Sequence, residues 1–70
     1  MFFTVKFRPT QGTLMRILTE ITRRGLELDY VHAFGGIAHL RIDQIKDKQR
    51  DQLIRAWSSA IDVEKASSFS

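Results

Sequence analysis

The hydrophobic period of this chain changes from two to 3.6 within its first twenty-odd residues, and that change restricts the fold more than any other feature. Phe3, Val5 and Phe7 alternate with Phe2, Thr4 and Lys6, a period-two pattern that predicts a strand over about residues 2–8. Pro9 has no N–H to give to a ladder and closes that strand. After the polar turn Thr10-Gln11-Gly12-Thr13, Leu14, Ile17, Leu18 and Ile21 recur at i, i+3, i+4 and i+7, one face of a helix, with Arg16, Glu20 and Arg23 on the other. Arg23-Arg24 followed by Gly25 puts cations in the last turn and glycine just past it, so the helix is predicted over about 12–24.

A second strand is expected from Leu26 to Phe34, with Leu26, Leu28 and Tyr30 set against Glu27, Asp29 and Val31. Gly35-Gly36 is a hairpin signal, since adjacent glycines take positive φ without steric cost. Beyond it Ala38, Leu40 and Ile42 alternate with His39, Arg41 and Asp43, a third strand with one apolar and one polar face. A loop over Gln44–Lys46 leads into a second helix over about 47–59, with Leu53, Ile54, Trp57 and Ala60 turned inward. Ile61, Val63 and Ala66 form a short last strand, and 67–70 is expected to be a frayed tail, leaving about 2–66 ordered. The order β-α-β-β-α-β defines an α+β, ferredoxin-like sandwich: a four-stranded antiparallel sheet with both helices on one face.

Size and composition then remove whole classes of function. Seventy residues make one small domain over 1–70, which buries a modest share of its surface and gains from association. With no cysteine there is no disulfide framework, thiolate metal site or cysteine nucleophile, and His32 and His39 alone do not make a metal centre. No phosphate loop and no Ser-His-Asp spacing is present. Glu27 and Asp29 share a face of the expected second strand, the ordinary wet side of such an element. The chain is therefore expected to be no enzyme and to use no cofactor. Its net charge is +3, but the basic residues are interspersed with acidic ones, as in Asp47-Lys48-Gln49-Arg50-Asp51, the pattern of a solvated surface rather than of a nucleic-acid binder. MFFTVKFRP lacks the features of a secretory signal and no run nears the ~18 apolar residues of a membrane span, so a cytoplasmic protein without membrane contact is expected.

The turn Arg8-Pro9-Thr10-Gln11-Gly12-Thr13-Leu14 is the remaining candidate site. A glycine at a helix start lets a ligand approach the backbone, and the free N–H groups there favour an anion such as an amino-acid carboxylate. A simple turn glycine would look the same.

From this turn onward the chain resembles a known family. FRPTQGTLMRILTEITRRGLELDYVHA is similar to the ACT domain of acetolactate synthase regulatory (small) subunits, above all the short single-domain kind found with isozyme II. The matching residues are Gly12, Leu14, Arg16, Ile17, Leu18, Arg24, Gly25 and Leu28; the resemblance is clear over residues 2–34 and continues as an element order to residue 66. It implies a non-catalytic subunit that binds and activates the thiamine-diphosphate-dependent catalytic subunit in branched-chain amino-acid synthesis. It further implies homodimers joined through strand two, with an amino-acid effector at the junction. Carried over residue by residue, the effector would meet the backbone of Gly12, Thr13 and Leu14 from one protomer and Glu27 and Leu28 from the other. Members sensitive to effector commonly carry Asn in the loop and early in strand two; Pro9 and Glu27 stand there, so activation is expected with uncertain feedback. Two other readings remain open: an ACT-type amino-acid sensor serving a different enzyme, and an RNA-binding ferredoxin-like module. The second needs base-stacking rings on the third strand, which offers only the imidazole of His39.

Overall fold

The computed structural model describes residues 1–10 and 12–69. The elements run β1 (Phe2–Phe7), α1 (Thr13–Arg23), β2 (Tyr30–Phe34), β3 (Ile37–Arg41), α2 (Asp47–Ser58) and β4 (Val63–Phe69). The strands form one antiparallel sheet in the order β2-β3-β1-β4, the ferredoxin-like α+β arrangement expected from the order of elements. No helix of the described residues is long and apolar enough to cross a membrane.

One face of the sheet carries the core. Phe3 and Val5 of β1 lie opposite Leu40 and Ala38 of β3, and all four are buried. Ile17 and Ile21 of α1 and Leu53 and Trp57 of α2 cover them, while Leu14, Leu18, Ile54 and Ala60 pack around the margin. Trp57 fixes the two helices against each other: its indole Nε1–H donates to the Ile17 carbonyl at 3.1 Å, and its ring meets Phe3 edge-on. Because side chains alternate along a strand, the complementary positions Phe2, Thr4 and Lys6 must point to the other face, which no helix covers.

Two expectations are corrected. Strand two does not span 26–34; it begins at Tyr30, because β3 ends at Arg41, whose carbonyl takes the Asp29 N–H at 2.9 Å as the last backbone bond of that ladder. Leu26 N–H instead closes the helix end by donating to the Ile21 carbonyl, and Leu26 and Leu28 pack, half-buried, on the edge of the core. Glu27 and Asp29 consequently share no strand face; Asp29 takes the Asp43 N–H on its carboxylate at 2.7 Å. The chain end is also not frayed from residue 67. β4 continues through Phe69, with Ser67, Ser68 and Phe69 paired to Thr4, Phe3 and Phe2, and the Phe2 and Phe69 rings stack at 5.6 Å. Ser70 lies outside the described residues.

Candidate functional site

The loop between β1 and α1 turns on Gly12, whose φ of 87° is reached by glycine at little cost and by other residues only with strain. A Cβ at Gly12 would meet nothing within 4 Å, so the backbone here is open to a ligand. Gly36 contrasts with it: a Cβ there would sit 2.7 Å from the Phe7 carbonyl oxygen, which makes Gly36 a packing requirement of the hairpin. Phe7 N–H donates to the Gly36 carbonyl at 2.8 Å, tying the hairpin to the start of the loop.

Between that loop and the β2–β3 hairpin runs a mainly apolar groove of about 290 Å³, whose walls include Pro9, Gly12, Leu14, Ala33, Phe34 and Gly35. Ala33 and Phe34 belong to β2, the outer strand of the sheet, whose far edge pairs with no other strand among the described residues. Of the residues predicted for the site, Gly12 and Leu14 line this groove. Thr13 turns away: it is buried, its hydroxyl donates to Asp62 Oδ2 at 2.7 Å and bonds Thr10, and its N–H donates to the Thr10 carbonyl at 3.2 Å. Among the described residues no side chain caps α1, and at its start Arg16 N–H donates to the Gly12 carbonyl, as Thr13 N–H does to the Thr10 carbonyl. The uncapped start of α1, with the positive end of the helix dipole, is what the site offers an anion.

Glu27 and Leu28 stand at the other end of α1, beyond its C-cap Arg24 and so roughly 16 Å along the helix axis from Gly12. One chain does not bring the five residues together. Two chains paired antiparallel along their β2 edges about His32 would set Tyr30 opposite the partner's Phe34, carrying Glu27 and Leu28 toward the partner's hairpin and loop.

The sequence reading missed Asp62. Its carboxylate holds Thr13 from 49 residues away and also pairs with Arg16, pinning the start of α1 to the segment before β4. No local signal marks such a contact. The arginines of α1 are likewise engaged, Arg23 and Arg24 with Glu20. No group of three or more metal-ligating side chains occurs among the described residues. No protein-family model matches this chain, and no curated protein matches it closely enough to establish kinship.

Proposed function

We propose that this chain is a non-catalytic regulatory subunit of acetolactate synthase, an ACT-type domain that pairs through β2 and binds and activates the thiamine-diphosphate-dependent catalytic subunit. The observation that carries this reading is the open Gly12 backbone at the head of α1, beside an apolar groove partly walled by β2, the outer strand of the sheet. It is the place where the resemblance puts the effector. An aliphatic amino acid fits the chemistry: its side chain against Leu14, Ala33 and Phe34, its carboxylate toward the uncapped start of α1. Glu27 of the partner subunit would face its ammonium group. Edge pairing would also satisfy the backbone groups along the outer edge of β2.

Size-exclusion chromatography of the chain with and without the catalytic subunit tests the assembly. Co-elution, and a dimer when the chain is alone, is the expected result; a monomer at micromolar concentration that never co-elutes with the enzyme refutes it. Calorimetric titration with valine, leucine and isoleucine tests the groove separately. Any binding should be lost in Gly12→Asp, which places a carboxylate at the helix start, and weakened in Glu27→Gln. Binding unchanged in both variants would move the site elsewhere.

A further inference from the structure

The uncovered face of the sheet is unusual in what it carries. Register puts Tyr30, Arg41, Phe2 and Phe69 in one row across it, and Phe34, Ile37, Lys6 and Lys65 in another. The Phe2–Phe69 stack is 42% and 55% exposed on its two members, and Phe34 is 83% exposed. None of the strand positions that share this face is Asp or Glu. Arg41 is paired with Asp43 at the rim. Lys6 and Lys65, by contrast, lie directly opposite each other on β1 and β4, an arrangement of like charges that costs stability. A groove of about 200 Å³ runs between them, lined by Thr4, Lys6, Ile37, Lys65 and Ser67; Glu64, the residue inserted by the β-bulge, is not part of it.

Three occupants can be weighed. A second copy laid face to face would add two more lysines and no carboxylate. A single-stranded nucleic acid would find rings to stack on, but two unengaged lysines release few counterions, giving a salt slope of only about −1.4. An aliphatic Ile37 and a nearly free Phe34 at the centre also suit a protein better than a base. A carboxylate-bearing protein surface is the best match: aromatic and aliphatic groups at the centre of an interface with charge at its rim is the usual distribution. Edge pairing of two chains through β2 would produce that distribution over an eight-stranded sheet, with Tyr30 and Phe34 of both protomers in the middle and the lysine pairs on the two flanks. With strands ~4.8 Å apart and ~17 Å long, that sheet face spans roughly 650 Å², near the ~800 Å² per partner of an ordinary protein interface.

We infer that the open sheet face is the surface by which the regulatory dimer docks on the enzyme subunit it activates, the Lys6–Lys65 pair seating against carboxylates of that subunit. The inference rests on the function proposed above and adds the surface and its chemistry. The test is a titration of the acetolactate synthase catalytic subunit with this chain, read as the concentration giving half-maximal activation. Lys65→Glu is the informative variant, because it replaces a like-charge pair by an opposite one and so does not endanger the fold. It should raise that concentration roughly tenfold, as should Lys6→Glu, whereas Arg23→Glu on the helical side should leave it unchanged. If the wild type activates and Lys65→Glu activates at the same concentration, the docking surface is wrong and the regulatory reading stands. If Arg23→Glu is the variant that fails, docking is through the helices. If the wild type neither activates nor co-elutes, the regulatory reading fails and this one with it. Binding of a labelled oligouridylate that Lys65→Glu abolishes would assign the face to nucleic acid and overturn the proposal.

Discussion

Lys65→Glu should make this protein more stable, an uncommon outcome for a point substitution. Lys65 faces Lys6 directly across the β1–β4 ladder, at the last regular pair before the register shifts between Lys6 and Phe7. A like-charge pair at this spacing costs about 0.2–1 kcal/mol and an opposite pair contributes about the same, so the full exchange spans roughly 0.4–2 kcal/mol. Both side chains are exposed, and screening by water and salt pushes the expected gain to the lower half, about 0.5–1 kcal/mol. For a domain of this size that is a rise in melting temperature of roughly 2–8 °C. Thermal unfolding followed by circular dichroism at fixed protein concentration is the assay, since a dimer's melting point depends on concentration. Lys65→Gln, which removes the repulsion without adding an attraction, should fall about midway. Raising salt to ~0.5 M should shrink the difference between variants. A melting temperature that falls, or a gain indifferent to salt, would mean that Lys6 and Lys65 do not face one another and would remove the basis of the docking surface.

Two further substitutions probe the core and the turns. Trp57→Phe leaves the Ile17 carbonyl without its indole donor and opens space between the helices, at a cost of about 2–3 kcal/mol, seen as a lower urea midpoint at unchanged slope. Gly36→Ala and Gly12→Ala separate crowding from backbone strain. Both meet a positive φ, but only the Cβ at position 36 strikes the Phe7 carbonyl, so Gly36→Ala should cost ~3 kcal/mol or more and Gly12→Ala about 1–2 kcal/mol. Equal losses by chemical denaturation would refute that distinction.

The fold was legible because each element announces itself locally. Phe3-Val5-Phe7 and Ala38-Leu40-Ile42 alternate, Leu14-Ile17-Leu18-Ile21 keep helical spacing, and Gly25 and Gly35-Gly36 mark the turns; the structure uses all of them in that way. The errors came where tertiary contacts decide. Leu26 and Leu28 alternate like a strand, yet no neighbour is available there to pair with, and they become a plug at the end of the core. Ser67-Ser68-Phe69 reads as a tail, but the alternation of β1 already offers Phe2 to solvent, and the ring of Phe69 answers it from across the ladder. The Asp62–Thr13 contact joins residues too far apart in sequence for any local pattern. Of the candidate site, the turn geometry at Gly12 and the helix start were legible, because both are local features of one turn. The groove beside them was not, since its far wall comes from the hairpin.

The proposed regulatory function is tested most directly by the rate of acetolactate formation by an acetolactate synthase catalytic subunit, measured as this chain is titrated in. The prediction is a saturable, several-fold rise, reached at higher concentration by Lys65→Glu despite its more stable fold. A rate that stays flat at every concentration, from a chain shown to be folded, would contradict the regulatory function.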